Sequence, residues 1–436
     1  MIEKIEIRRF SFFVFIIILF TSAFITYNNS KNINYTKEYT EFKGELIDKI
    51  EIRNSKYYIY SKNFVMVNNY ISDEYKVGDL ICAGGYGQDL LSMGDYGLYL
   101  KSKGYDYIMY IDYIEKIGHK ISLASIVYDI RQNLKSGIDF LYKEYSPIIR
   151  ALIIADREFI SKDETMLFSR AGISHIISIS GFHIVLIAGI FFNITFFLSK
   201  KYRYIISVLC TLFYVILTGA NPPAVRAYIF YITFIASIFL EERYDIFSIG
   251  FLLSAFYMIL NPYVIYDFGF CMSFMSVFSI AMFYKIIFEH LEKFVKNNLG
   301  KLILSMICVT LSAQILTIPY VYYNFGIVSL ISVIANIISV PLISLAYPFI
   351  LLSMIFVKVP FLRDVFCNIV NFMMFLFYKS NEVLTSLSYS YISFEHKSLI
   401  FVVISYIIIL FLYTLYINIQ IMRNYISNGQ GKKRVV

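Results

Sequence analysis

The chain has 436 residues, of which 58% are hydrophobic and only 16% are charged. No soluble globular fold needs that much apolar surface, and several apolar runs reach the roughly 20 residues that a helix needs to cross a bilayer. The formal net charge of +8 does not by itself indicate nucleic-acid binding, because polytopic proteins collect Lys and Arg in their cytoplasmic loops. The composition therefore predicts a polytopic α-helical membrane protein.

Residues 1–27 form the first predicted element. Lys4, Arg8 and Arg9 precede an apolar run from Phe10 to Ile25. No small-residue cleavage site follows the run, so we interpret it as a retained membrane span rather than a signal peptide. The basic residues place the N-terminus in the cytoplasm.

Residues 28–121 carry short alternating apolar and polar patterns, separated by Asn, Gly, Asp and Ser turns. The patterns predict about five strands, which are KGELIDKIEI, SKYYIYS, NFVMVNN, VGDLICAGG and YDYIMYIDYI. This number favours a small extracytoplasmic barrel or sandwich, with an oligonucleotide-binding (OB)-like barrel as one candidate. Its tyrosines are either a stacking platform for bases or, the interpretation we favour, ordinary strand aromatics. They are Tyr57, Tyr58, Tyr60, Tyr107 and Tyr110.

Residues 122–171 predict amphipathic helices that lie along the membrane interface, since Arg131, Lys135, Arg150 and other cations alternate with apolar residues. The membrane domain follows as residues 172–422, with a basic cytoplasmic tail at 423–436. The predicted spans are 173–198, 203–219, 225–240, 245–260, 266–288, 302–319, 327–357, 361–379 and 398–420. With the first span this gives about ten, and 327–357 is either one broken helix or two shorter segments. Lys and Arg placement then leaves both termini in the cytoplasm.

The second span contains polar residues at membrane depth, namely His175, Ser178, Ser180, Gly181 and His183. On a continuous helix both histidines face one side. The serines and glycine also permit a helix break, which is tolerated only against protein or a wet cavity. The residues therefore either line a pore or binding site, or hold helices together by hydrogen bonds. Neither a carboxylate nor a third histidine lies at ligand spacing, so we predict no metal site.

The junction TGANPPAVRA ends one span and starts the next. Arg226 at this junction either snorkels toward the membrane surface or contacts an anion, because helix N-termini and guanidinium groups both favour phosphate. We assign Asn221 and Arg226 to the substrate path together with the polar residues of the second span. Further candidates for structural or positioning roles are Asp156, Arg157, Gly172, Gly219, Asn261, Pro262, Gly269, Gln314, Pro319, Asn336 and Pro341. The amides among them are typical of interhelical hydrogen bonds.

Enzymatic motifs are absent from the sequence. There is no Walker A loop, no HExxH and no GxSxG elbow. We therefore predict a protein that is not an enzyme and that needs no cofactor.

Five segments resemble the ComEC family of bacterial competence proteins. The segment ALIIADREFISKDETMLFSRAGISHIISISGFHIVLIAGI is similar to the family's central motif, with Ala155 in place of a glycine and Phe182 in place of a leucine. The other four are GDYGLYLKSKGYDYIMY, TGANPPAVRAYIF, NPYVIYDFGFCMSFMSVF and TLSAQILTIPYVYYNFGIVSLISVIANIISVPLISL. In the third of these, Cys271 replaces the usual glutamine. The five occur in the family's order.

The resemblance implies a channel in the bacterial cytoplasmic membrane that takes up single-stranded DNA during natural transformation. It implies as partners a DNA-receptor protein, a cytoplasmic helicase-type ATPase and a separate nuclease, besides membrane lipid and a possible homo-oligomer. The HxHxDH signature of the family's metallo-β-lactamase-like domain is absent from the sequence, so a nuclease activity of this chain is not expected. Asp156 and Arg157 are expected to position the pore segment through a salt bridge.

Two alternatives remain open: an ion-coupled secondary transporter of a smaller solute, and a non-conducting membrane scaffold. The channel interpretation requires a water-filled route at the imidazoles and the guanidinium.

Overall fold

The computed structural model describes residues 2–31, 38–46, 51–53, 56–60, 64–68 and 75–432. The helices are α1 Ile2–Lys31, α2 Gly94–Ser102, α3 Leu123–Tyr142, α4 Ser146–Ile154, α5 Lys162–Ala171, α6 Ser174–Ile177, α7 Gly181–Ile194, α8 Lys200–Leu217, α9 Pro222–Phe239, α10 Ile246–Leu260, α11 Phe268–Leu291, α12 Asn298–Phe325, α13 Ser332–Ile355, α14 Pro360–Ser386 and α15 Leu399–Lys432. The strands are β1 Glu38–Glu45, β2 Glu51–Arg53, β3 Lys56–Tyr60, β4 Phe64–Asn68, β5 Asp79–Asp89, β6 Tyr107–His119, β7 Ile327–Ser329 and β8 Tyr391–Ser393.

The protein has two compact units. One consists of residues 1–165, 174–274 and 340–378, and the other of 166–173, 275–339 and 379–436. The last four residues of the predicted basic tail lie outside the described residues.

Helices occupy all the predicted spans, as α1 and α7 to α15. Seven of the described helices are long and apolar enough to cross a membrane, while α7 and α10 are apolar but shorter. The tenth, α8, opens with Lys200, Lys201 and Arg203, and these charges lower its hydropathy. The stretch predicted at 327–357 begins with strand β7, Ile327–Ser329, and continues as one helix, α13, which contains Pro341 and Pro348. The protein is therefore a polytopic membrane protein, and the predicted count of about ten spans stays a prediction.

The small β domain predicted after the first span is present. Its six strands form one sheet in the order β1-β5-β6-β4-β3-β2, in which β4 and β6 are parallel and the other neighbours antiparallel. Alternate side chains pack on opposite faces, as the period of two requires. Ile59, Met66 and Met109 belong to one buried cluster, while Val65 and Ile108 belong to another, on the face covered by α2.

Strand β1 leads into the interior of the β domain. Leu46, which follows β1, is 1% exposed and packs in the cluster of Ile59 and Met109. The end of the edge strand β1 thus shares one core with residues of β3 and β6.

Helix α1 and the shorter helix α10 run side by side. Near the start of each, Arg8 of α1 forms an ion pair with Asp245, 2.5 Å apart. Near their ends, Asn29 Nδ2 donates to the Tyr263 hydroxyl at 2.9 Å. Because one pair joins the starts of the two helices and the other joins their ends, α1 and α10 are parallel.

Helix α4 lies within residues 122–171, whose interfacial position stays a prediction, and it is packed against other parts of the protein. Eight of its nine residues are buried, including Arg150. The charge is accommodated because Arg150 pairs with Asp139 of α3 and lies over the Phe159 ring. A cation that is paired in this way can occupy the protein interior.

Candidate functional site

The second predicted span contains a helix break between its two histidines. Helix α6 ends at Ile177, and α7 begins at Gly181 after an extended Ser180. The Ser180 N–H donates to His183 Nδ1 at 3.3 Å, so this imidazole caps the new helix. His183 is fully buried, whereas His175 is exposed. The break thus prevents the common face that a continuous helix would give the two histidines.

Two polar atoms at this break are buried without a hydrogen-bond partner among the described residues. They are the Ser180 hydroxyl oxygen and His183 Nε2. Since Nδ1 accepts from the Ser180 N–H, a neutral His183 carries its proton on Nε2. A buried N–H without a partner is costly, so this atom is available to a ligand.

The second junction turns Arg226 into the protein. Gly219 and Ala220 have positive φ angles of 80° and 49°, and the Asn221 side chain donates to the Thr218 carbonyl at 2.9 Å. Helix α9 then starts at Pro222, and Arg226 in its second turn is 1% exposed. The guanidinium therefore does not snorkel to the surface.

The Arg226 guanidinium uses only part of its hydrogen-bonding capacity. Nη2 donates to the Gly269 carbonyl oxygen at 2.6 Å, while Nε and Nη1 are buried and lack a partner in the described part of the chain. The guanidinium carbon lies 5.7 Å and 5.8 Å from the ring centres of Phe270 and Phe274. A cation with unpaired N–H groups beside aromatic rings, in a site of low dielectric, attracts anions strongly.

The third junction begins α11. After α10, Asn261 accepts from the Tyr263 N–H at 2.9 Å and starts a 3₁₀ turn, Pro262–Tyr266. Asp267 then accepts from the Gly269 N–H at 2.9 Å, which satisfies one of the free donors in the first turn of α11.

These three junctions lie together. A Cβ added at Gly181 would be 3.7 Å from the Ala227 Cβ, so the start of α7 packs against the start of α9. Arg226 joins α9 to the start of α11 through Gly269. Each of the three N-termini carries roughly half a positive charge. Where the starts of α7, α9 and α11 meet, the structure therefore combines a positive electrostatic potential with the N–H groups of Arg226 and His183 that are unpaired within the described ranges and with the hydroxyl of Ser180.

Sequence reasoning missed Tyr347, which lies beside His183, and the hydrogen-bond partner of Tyr347, Tyr214. The Tyr347 hydroxyl donates to the Leu152 carbonyl at 2.9 Å and lies 2.8 Å from the Tyr214 hydroxyl. The His183 ring centre lies 5.9 Å from that of Tyr347, edge to face. Single tyrosines in apolar helices give no sequence signal that separates them from interfacial aromatics.

Ala155 and Asp156 close the C-terminal end of α4. Ala155 has a left-handed φ of 59°, a conformation that favours glycine. Asp156 is 5% exposed and pairs with Lys135 of α3 at 3.1 Å. Arg157 is exposed. The ion pair between Asp156 and Lys135 thus joins the end of α4 to the preceding amphipathic helix, α3.

A cavity of about 710 Å³ lies between the β domain and α3 and reaches Gly219 of the second junction. Arg131 at its wall donates to the Ile154 carbonyl at 3.1 Å. The cavity is lined by Leu46, Tyr75, Lys76, Val77, Tyr105, Leu123, Ala124, Val127, Tyr128, Arg131, Gln132, Lys135, Ile154, Asp156, Glu158, Ile216 and Gly219. It mixes aromatic, aliphatic and charged side chains.

Of the remaining candidates, Gly172, Gln314, Pro319 and Asn336 belong to the other compact unit, whereas Pro341 belongs to the first. Gln314 donates to the Ser332 hydroxyl at 2.6 Å, and Asn336 donates to the Ser332 carbonyl at 2.8 Å. Gly172 packs on the same serine, with a φ of 74°. Pro319 and Pro341 lie inside α12 and α13. Hydrogen bonds of this kind hold membrane helices together.

The route required by the channel interpretation is closed at two of its residues. His183 and Arg226 are 0% and 1% exposed, while His175 and Gly181 are exposed. Passage of a polymer therefore needs the contact between α7 and α9 to open.

Residues 152–418 match the family model described as competence protein. The chain is also 28% identical over 250 residues to ComE operon protein 3 of Bacillus subtilis (strain 168). This similarity covers 57% of the chain but only 31% of that relative, so the match spans about a third of the relative's length. No solved structure matches the chain.

Proposed function

The chain belongs to the competence protein family, and from this we propose that it is a membrane channel that conducts single-stranded DNA into the cytoplasm during natural transformation. The observation that carries the proposal is the buried Arg226 guanidinium, whose Nε and Nη1 atoms lack a partner among the described residues. It lies where the N-termini of α7, α9 and α11 meet. A strand of phosphodiesters needs such donors along its path.

The chemistry of the site suits a phosphodiester. Arg226 offers two nitrogen atoms without a partner among the described residues, Nε and Nη1, while His183 offers one ring nitrogen and Ser180 a hydroxyl. Helix N-termini and guanidinium groups both favour phosphate oxygens. None of these groups identifies a base, which suits a channel that conducts DNA of any sequence.

The packing supports the orientation in our proposal, with the β domain outside and both termini in the cytoplasm. Helices α1 and α10 are parallel, and the 3₁₀ turn after α10 packs against α2 of the β domain, where Asn261 donates to the Lys101 carbonyl at 2.8 Å. Helix α11 starts at that turn, and α7 and α9 start beside it. The anion site thus lies at the membrane end nearest the β domain, where incoming DNA would arrive.

The proposal includes an OB-like barrel for the β domain. Barrels of this kind bind oligonucleotides. The favoured interpretation of its tyrosines agrees with the packing of Tyr58, Tyr60 and Tyr110 against a buried cluster. Tyr107 is exposed and stacks on Phe64.

Conduction in this proposal requires α7 to move away from α9, because the site is closed in the structure. The energy comes from a cytoplasmic helicase-type ATPase, and a DNA receptor and a separate nuclease act before and after the channel. These partners come from the family resemblance.

An ion-coupled transporter of a smaller solute is the second candidate. The observation that favours it is the sealing of His183 and Arg226, because transporters bind substrate at broken helices that are closed to one side. A transporter would lose solute uptake on substitution of Arg226 and keep DNA uptake.

The test compares Arg226→Gln with Arg243→Gln, a matched substitution of an arginine that is exposed in the structure. We expect the Arg226 variant to bind fluorescent DNA at the cell surface and to abolish its passage into the cytoplasm, at normal protein level. The Arg243 variant should behave like the wild type. Normal DNA uptake by Arg226→Gln would refute the channel.

A further inference from the structure

The β domain is connected to Arg226 through one carboxylate. Lys103, directly after α2, places its Nζ 3.0 Å from Asp267 Oδ2. Asp267 Oδ1 accepts from the Gly269 N–H at 2.9 Å, and the Gly269 carbonyl accepts from Arg226 Nη2 at 2.6 Å. Asp267 also interacts electrostatically with Arg226. A carboxylate that is 3% exposed therefore lies between two cations.

The end of α2 is fixed on the turn that precedes α11. Asn261 Nδ2 donates to the Lys101 carbonyl at 2.8 Å and to the Ser102 carbonyl at 3.2 Å. The Tyr99 ring stacks on the Phe268 ring, with 6.3 Å between centres. These contacts hold the following lysine over the carboxylate instead of leaving it to sample solvent.

We propose that Lys103 and Asp267 are positioning residues for Arg226, and that docking of the β domain through them keeps the anion site able to take a phosphate. This inference rests on the proposed function. With Lys103 in place, the Asp267 carboxylate is neutralised from the β-domain side, and Arg226 keeps its charge for a ligand. Without Lys103, the carboxylate pairs with Arg226 alone, and a buried neutral pair attracts anions weakly.

The arrangement makes the β domain a regulator of the membrane site. When α2 moves away from the 3₁₀ turn before α11, Lys103 leaves Asp267. The carboxylate then neutralises Arg226, and the affinity of the site for anions falls. Return of α2 restores it. The β domain therefore acts on Arg226 without contacting it.

The test measures binding of fluorescein-labelled oligothymidylate to the detergent-solubilised full chain by fluorescence anisotropy at low salt. Lys103→Met should weaken binding about tenfold, as removal of one partner from a close charge pair does. Lys120→Met removes a β-domain lysine that is 63% exposed and 3.8 Å from Glu45, and should change binding by less than about twofold. The double variant Lys103→Met/Asp267→Asn should return to near wild-type affinity, because the carboxylate that captures Arg226 is gone.

The double variant separates the electrostatic role from a mechanical one. If the contact between Lys103 and Asp267 only held the β domain in place, the double variant would bind as weakly as Lys103→Met. That result would overturn the inference. Wild-type affinity in Lys103→Met would overturn it too. If the methionine variant does not fold, Lys103→Gln, which keeps a hydrogen-bond donor without the charge, should show the same loss and the same rescue. Absence of binding by the wild type would overturn the proposed function and this inference with it.

Discussion

Arg226 Nη2 donates a 2.6 Å hydrogen bond to the Gly269 carbonyl oxygen, and this bond joins the second turn of α9 to the first turn of α11. A Cβ added at Gly269 would lie 4.0 Å from Arg226 Nη2 and 3.3 Å from Asp267 Oδ1. The glycine therefore lets the backbone approach both charged groups. Because the bond occupies one guanidinium nitrogen, Arg226 can fix the helix junction and still present its other N–H groups to a ligand.

Arg226→Lys should retain part of the activity that Arg226→Gln loses. A lysine keeps the positive charge but replaces the planar fork by a single ammonium group, so it can bond Gly269 or a phosphate but not both in the same geometry. We expect DNA uptake reduced about tenfold, since one lost charge-assisted hydrogen bond is worth about 1.5 kcal/mol. Uptake of fluorescent DNA into whole cells measures this. Equal uptake by the lysine and glutamine variants would show that charge at this position is irrelevant.

Ala155→Gly should stabilise the protein. Ala155 has a φ of 59°, which costs an L-residue about 1–2 kcal/mol, whereas glycine adopts it freely but loses about 0.5–1 kcal/mol of chain entropy. The expected net gain is up to about 1 kcal/mol, measured as a higher thermal unfolding temperature in detergent. Ala151→Gly in the helical, buried part of α4 is the control and should lower that temperature. Destabilisation of similar size by both variants would contradict the strain argument.

Gly172→Ala should destabilise the other compact unit. The φ of Gly172 is 74°, and an added Cβ would be 2.6 Å from the Ser332 Cβ. The strained backbone and the overlap together should cost about 2–4 kcal/mol. Gly189→Ala is the matched control, because that glycine lies inside α7 with nothing within 4 Å of an added Cβ. The control should unfold at or above the wild-type temperature, and equal loss in both variants would refute the predicted overlap.

The β domain should lose stability in acid through Asp79. Burial raises the pKa of its carboxyl, but hydrogen bonds from Lys116, the Lys76 N–H and His119 outweigh burial and hold that pKa below its usual value. Lys116 Nζ and His119 Nδ1 each lie 2.8 Å from Asp79 Oδ1. A pKa that is lower in the folded state gives stability that is present above the unfolded pKa of about 3.9 and is lost as the pH falls through the folded value.

Asp79→Asn removes this pH dependence. We expect the variant to be less stable than the wild type at pH 7. The difference should shrink as the pH falls below about 4 and through the lower pKa of the folded wild-type carboxyl. The measurement is the rate of hydrogen exchange in peptides from β5 and β6, compared between the variant and the wild type at each pH. The intrinsic pH dependence of exchange is the same in both proteins and cancels in this comparison. A difference that grows on acidification would mean that Asp79 is not held as the carboxylate.

Local signals in the sequence were enough to predict the elements. Runs of apolar residues predicted the membrane helices, and alternation predicted the strands, because both depend on neighbours a few residues apart. The same holds for the Pro222 junction. Near Ser180 the residue types permitted a helix break but did not distinguish it from a continuous helix. Helix α2 was not predicted, since its glycines and tyrosines carry no clear helical period.

The sequence by itself thus determined that this is a multi-span membrane protein with an inserted β domain and polar residues in its spans. Only the tertiary structure decided that His183 is buried and His175 exposed, that Arg226 points inward, and that three helix N-termini meet there. It also decided the pairing of Lys103 with Asp267, 164 positions apart in the chain. Such contacts depend on how helices pack side by side. Two ionic partners so far apart in the chain produce no local sequence pattern from which their pairing could be predicted.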